Sequence, residues 1–285
     1  MDKKINQLYH EYRTGGSDRR GFLKKLTAYL GSTAAALAFL PVLDEKYADG
    51  TLMQTADEDL VTEFITYPAE TGEMRAYMAR PKANKKYPAV IVIHENRGLV
   101  PHIQDVNRRM AKEGFLALAP DALSPVGGTP EDITNVGELF KKLVPEQTTK
   151  NFVAAVKYLK THPNSNGKVG CTGFCWGGAM TNQVAVNSPD LKAAVPYYGR
   201  QPVADDVPKI KASVLAHYAE NDQGINAGIP AFEEALKKAG IDYQIFSYPG
   251  TQHAFNNDSN AQRYNAEAAK LAWKRTIDFF KEKLK

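Results

Sequence analysis

The chain has 285 residues, 43% of them hydrophobic and 24% charged, enough for one large core or two small ones and ordinary for a globular protein. Its net charge of +4 originates in the first 25 residues, which hold seven Lys/Arg against three acids, while the other 260 hold 29 of each sign; that balance excludes the broad basic face of a nucleic-acid binder. The two cysteines, Cys171 and Cys175, lie four residues apart and form no CxxC pair, which excludes a disulfide framework.

The chain opens with a short helical pattern, Ile5 to Tyr12. Asp18-Arg19-Arg20-Gly21-Phe22-Leu23-Lys24-Lys25 then resembles a twin-arginine export signal, and the mildly apolar stretch Leu26–Leu40 that follows is too short and too rich in Ala, Gly, Ser and Thr for a stable membrane anchor. No small-x-small cleavage pattern is complete: Ala48 and Ala56 are preceded at the other small position by Lys46 and Gln54. Export of the folded protein to the periplasm is the expectation; an N-terminal helical extension that is never removed, on a cytoplasmic protein, is the alternative. Residues 44–57 read as a polar linker, so that 1–57 form an extension and 58–285 one domain.

In that domain Val61–Tyr67 and Glu73–Arg80 alternate partly around a Gly72 turn, as in an antiparallel hairpin. Continuous apolar runs of the buried parallel type follow at Ala89–His94, Phe115–Ala119, Lys168–Phe174, Ala193–Tyr198 and Ser213–Tyr218, with Asp242–Tyr248 last. Helical stretches fall between them at Ile103–Glu113, Thr149–His162, Gly178–Val186, Pro230–Ala239 and Arg263–Lys281. This alternation predicts an α/β fold, a mostly parallel doubly wound sheet with flanking helices. Ligands in such folds meet the loops at the carboxyl ends of the strands.

Gly173-Phe174-Cys175-Trp176-Gly177 is a G-x-C-x-G motif at such an end, and it resembles the nucleophile elbow of α/β-hydrolases with cysteine in the serine position. Glycines flank the nucleophile because the strand and the following helix meet too closely for side chains. A thiol above a helix N-terminus is expected to have a lowered pKa. A thiolate nucleophile needs a base, and the base needs an orienting acid. Of six histidines, His10 lies in the N-terminal segment, His102 and His162 fall at helix ends and read as solvated, and His217 lies inside a strand. His94 reads as packing at a sheet edge; His253, in the loop after the last strand, is the candidate base. Asp222 is the candidate acid, with Glu220 nearer the strand as the fallback. The oxyanion donors are expected to be the backbone N–H groups of Trp176 and Asn96. Glu95 and Arg97 share the loop of Asn96: they form an ion pair, or Glu95 accepts the Cys175 proton and Arg97 meets substrate. Tyr197, Tyr198 and Arg200 are further strand-end residues facing a pocket that Ala122–Gln147 would cap, Asp121 reads as a loop stabiliser, and Cys171 as core.

Over roughly residues 60–285 the chain resembles the dienelactone hydrolase family, through Asn166-Gly167-Lys168-Val169-Gly170, Gly173–Gly178, Tyr197-Tyr198-Gly199, Asp222, His253-Ala254-Phe255 and His94-Glu95-Asn96-Arg97-Gly98. The resemblance implies Cys175 as nucleophile, His253 and Asp222 as its partners, Glu95 as acceptor of the thiol proton when substrate binds, an α/β-hydrolase fold, and no metal or organic cofactor. It implies a small-molecule ester or lactone substrate, with no nucleic-acid partner. It carries no signal for oligomeric state. Family members that cleave dienelactone hold its carboxylate with arginines, one shortly after the catalytic histidine; His253–Asp258 and Ala122–Gln147 contain none, which argues against dienelactone itself. A non-catalytic binding protein on the same fold and a thiol redox sensor are the rival readings.

Overall fold

The computed structural model describes residues 3–13, 17–48 and 59–285. At the N-terminus, α1 (Lys3–Arg13), α2 (Arg19–Leu30) and α3 (Thr33–Ala48) build a small cluster of their own around Tyr9, Phe22, Leu26 and Leu43. Asp18 caps α2 by accepting from the Gly21 N–H, and Gly31, at φ 82°, ends it. Among the described residues no single helix is long and apolar enough to cross a membrane; α2 and Thr33–Leu43 pass that test only together, and a 111° bend separates them. The first part of the expected linker, 44–48, is helical; its remainder, 49–57, with Ala56, lies outside the described residues, as does the side chain of His10.

The rest of the chain forms β1 (Leu60–Ala69), β2 (Gly72–Pro81), β3 (Tyr87–Ile93), α4 (Pro101–Lys112), β4 (Leu116–Pro120), α5 (Val136–Phe140), α6 (Pro145–Thr161), β5 (Ser165–Phe174), α7 (Trp176–Asn187), β6 (Leu191–Tyr197), β7 (Ser213–Asn221), α8 (Gln223–Asn226), α9 (Ile229–Lys238), β8 (Tyr243–Gln252) and α10 (Ala266–Lys283). One eight-stranded sheet has the order β1-β2-β4-β3-β5-β6-β7-β8. β1 and β2 are the antiparallel hairpin, β2 pairs antiparallel with β4, and β4 through β8 in sheet order run parallel. This is the mostly parallel sheet with flanking helices that the apolar runs predict, and it matches the α/β-hydrolase fold that the resemblance implies.

Successive strand side chains point to opposite faces, so each buried strand feeds two cores. Val90 and Val92 enter one, beneath α4 and α10 with Ile103, Met110 and Phe280. Ile91 and Ile93 enter the other, beneath α6, α7 and α9 with Phe152, Val184 and Phe232. Strand order reverses at β3/β5: β3 leads out to β4 on one side, while β5 leads to β6, β7 and β8 on the other. The loops diverge there and leave a crevice at the carboxyl edge.

Candidate active site

Cys175 follows β5 directly and stands at the first turn of α7 with φ 57°. The glycines around it have a steric basis. A Cβ on Gly173 would lie 2.3 Å from the Gly177 carbonyl oxygen, and one on Gly177 would lie 2.4 Å from that of His94. Strand β5, helix α7 and the end of β3 are therefore in backbone contact, and the glycines flanking Cys175 have no room for side chains. Only three non-glycine residues among those described adopt a left-handed φ: Cys175, Tyr198 (36°) and Ala254 (69°). They follow β5, β6 and β8 at the same sheet edge, and backbone strain of this kind concentrates at functional sites.

His253 follows β8, and its Nδ1 lies 2.5 Å from Asp222 Oδ2, immediately after β7. A carboxylate accepts only, so Nδ1 carries the proton and Nε2 is left free to exchange one. Glu220, the fallback acid, is exposed and instead accepts from the Gly250 N–H at 2.8 Å. Glu95 is 9% exposed, and its Oε2 accepts from Asn257 Nδ2 at 2.5 Å rather than pairing with Arg97. Asn96 and Arg97 are exposed on the same loop. A cavity of about 700 Å³ opens beside Glu95 and is lined also by Arg75, Arg97, Thr129, Ile133 and Asn257. Thr129 and Ile133 come from the Ala122–Gln147 stretch, which thus borders the cavity; Phe140 from α5 packs edge-on against Trp176 at 5.1 Å. Arg200 is exposed on the loop after β6, where its carbonyl accepts from Asn182.

The thiol departs from expectation. Instead of being lowered by the helix terminus, its pKa is pushed up to about 11, first by burial and then by the negative charge of Glu95; the Trp176 N–H acts the other way, Asp222 raises it further, and Arg263 opposes. Desolvation and two nearby carboxylates outweigh one amide dipole and one distant cation, so the resting site holds a thiol. Cys171 is inert by contrast: wholly buried, against Thr181 Oγ1 at 3.7 Å and pushed up to about 12.

The remaining histidines separate cleanly. His94 is buried, its ring stacked on Trp176 at 5.5 Å. Its Nε2 accepts from the Ala122 N–H at 3.0 Å, which leaves the Nδ1 proton to bond the Glu95 carbonyl at 2.6 Å and lash the Glu95 loop to the one after β4. Asp121 in that second loop accepts from Leu123 and Thr129, the stabilising role its position predicts. His102 is not solvated: it is buried with Nδ1 3.0 Å from Asp258, whose other oxygen takes Arg109 at 2.6 Å. Those cations hold the Asp258 carboxyl well below its usual range despite burial. His162 is half-buried, its Nδ1 accepting from the Asn164 N–H. Tyr197 is core rather than pocket, its hydroxyl 2.6 Å from Thr276.

Two participants carried no sequence signal. Asn257 holds Glu95 across 162 residues of chain. Arg263 stands ten residues beyond His253, yet the intervening loop folds back through Asn260–Asn257 and Asn265–Phe255 backbone bonds and brings its charge within range of Cys175. Among the described residues no group of three or more His, Cys, Asp or Glu side chains is placed to hold a metal ion.

The sequence model of the dienelactone hydrolase family matches residues 74–284. A candidate carboxymethylenebutenolidase of Escherichia coli K12 is 34% identical over 249 residues, covering 81% of this chain and 91% of its own. Another from Methylorubrum extorquens is 35% identical over 268 residues, covering 88% and 89%. The crystal structure of a candidate dienelactone hydrolase from Klebsiella pneumoniae superposes with a TM-score of 0.71 at 33% identity, over 78% of this chain and 99% of that one.

Proposed function

Given that the chain belongs to the dienelactone hydrolase family and is therefore a hydrolase, we propose that it cleaves carboxylic esters or lactones through Cys175, His253 and Asp222 by way of an acyl-enzyme. The observation that carries this reading is the convergence, at one sheet edge, of a cysteine at a left-handed turn and an Asp222-oriented His253 with a free Nε2.

The resting thiol makes activation the first step. Substrate entering beside Glu95 displaces Asn257 from its carboxylate, and Glu95 takes the Cys175 proton. The thiolate Sγ bonds the carbonyl carbon, and the N–H groups of Trp176 and Asn96 hold the oxyanion. The proton passes from Glu95 to Nε2 of His253 and from there to the departing alkoxide as the C–O bond breaks. His253 then takes a proton from water, the resulting hydroxide attacks the thioester, the C–S bond breaks, and the thiolate regains its proton. Asp222 stabilises the imidazolium in both halves. Arg97, Tyr198 and Arg200 are assigned to substrate contact, and Arg263 is the cation facing the nucleophile.

The N-terminal residues 1–57 are assigned to export, supported by Arg19-Arg20 at the start of α2 and by the mild hydrophobicity of α3, with 58–285 as the catalytic domain. Cys175→Ala and His253→Ala are each expected to lower turnover of small activated esters by about 10⁴-fold or more, with an unchanged circular dichroism spectrum. Undiminished turnover by purified Cys175→Ala rejects the mechanism.

A further inference from the structure

The phenol of Tyr198 is fully buried, yet its O–H proton finds no acceptor in the protein. A buried donor left without an acceptor costs on the order of 1–3 kcal/mol. The Asn256 N–H lies toward the phenol oxygen, which leaves the O–H proton itself without an acceptor. The residue is held there on purpose-built backbone: φ is 36°, and the Tyr198 N–H donates to the His217 carbonyl at 2.7 Å. The ring is clamped by His253, with centroids 5.1 Å apart, and by Phe255 at 5.4 Å. Neighbouring Tyr197 marks the contrast, since its hydroxyl is satisfied by Thr276 in the core.

The sheet order says which part of a substrate this hydroxyl meets. The oxyanion loop follows β3, on one side of Cys175; Tyr198 follows β6, on the other side, the side of Asp222 and His253. The ester atom that meets His253 is the alkoxy oxygen. Resting on the cysteine-hydrolase reading above, we propose that the Tyr198 hydroxyl is a catalytic hydrogen-bond donor to the leaving alkoxy oxygen, strengthening as the C–O bond breaks while His253 supplies the proton. Burial, with the charges of Glu95 and Cys175, raises the phenol well above its ordinary value, so it remains a donor throughout the working pH range.

The test is Tyr198→Phe, which keeps the ring and removes the donor, assayed on the methyl and p-nitrophenyl esters of one acid. A methoxide leaving group needs the donor and p-nitrophenolate does not. The expected result is a loss of about 10- to 100-fold in kcat for the methyl ester, with a loss several-fold smaller for the p-nitrophenyl ester and KM little changed for both. The ratio of the two rates is taken on one preparation, so a partly unfolded variant does not alter it. Equal losses on both esters, or no loss on the methyl ester, overturns the proposal. Acylation of Cys175 by the p-nitrophenyl ester is followed by mass in parallel: adduct formation with an unsteepened leaving-group dependence sinks the tyrosine proposal alone, whereas absence of adduct in the wild-type protein sinks the cysteine reading beneath it.

Discussion

Two buried polar clusters lie along β6 and β7, and they are built in opposite ways. In the first, beneath the sheet edge, His217 bonds Tyr248 through Nδ1 at 2.8 Å and Thr276 through Nε2 at 3.0 Å, while Tyr197 bonds Thr276 and Arg275 bonds Tyr248. Each ring hydroxyl and imidazole nitrogen in it has a partner. In the second, at the edge itself, Cys175 is a half-buried thiol facing two carboxylates, Tyr198 holds an O–H proton without an acceptor, and three residues sit at left-handed φ. The satisfied cluster fixes the fold. The unsatisfied one leaves hydrogen-bonding capacity unmet, which under the proposed mechanism a substrate completes.

Substitutions that exchange these characters are the way to break the comparison. Of the two exchanges, the larger effect is expected at Glu95. Glu95→Gln removes the carboxylate that raises the Cys175 thiol, so iodoacetamide alkylation of the free enzyme near neutral pH should accelerate. The same change removes the acceptor of the thiol proton, so ester turnover should fall by about 10²- to 10⁴-fold. Alkylation and turnover moving in the same direction would contradict the role assigned to Glu95.

A smaller effect, on stability rather than catalysis, is expected in the satisfied cluster. His217→Phe removes the ring nitrogens that bond the Tyr248 and Thr276 hydroxyls, leaving Tyr248 only its bond from Arg275 and Thr276 its bonds with Tyr197 and Ala272, and should cost about 1–3 kcal/mol in denaturant unfolding, with turnover per folded molecule little changed. The pH dependence has a definite sign. Burial, with help from Arg275, lowers the His217 pKa from 6.5 to about 3, so the unfolded chain binds a proton where the folded one does not. The stability contributed by this neutral histidine is present above about pH 6.5 and is lost as pH falls from there toward 3. The variant should flatten the stability curve in that window; an unchanged slope would show that His217 does not govern it.

Much of this was legible in the sequence, and the part that was not has a common cause. The parallel strands declared themselves because a strand buried on both faces is apolar throughout, as in Ala89–Ile93. Their ends were less plain: β5 begins at the polar Ser165-Asn166-Gly167, and β8 runs through Pro249-Gly250, which reads as a turn. The positions of Cys175, Asp222 and His253 followed from strand ends, a local property. The state of the thiol, the burial of His102 by Asp258, the grip of Asn257 on Glu95 and the approach of Arg263 are set by loops far apart in the chain, and electrostatics summed across such loops has no sequence period to read.

The central claim is that Cys175 becomes acylated. The most direct measurement is intact mass spectrometry of the protein quenched during turnover of a small activated ester, followed by peptide mapping. The account predicts an adduct of the acyl group's mass on the peptide carrying Cys175, absent from Cys175→Ala and persisting longer in His253→Ala if that variant is acylated at all. Steady turnover with no adduct on Cys175, or the same adduct in Cys175→Ala, would contradict it.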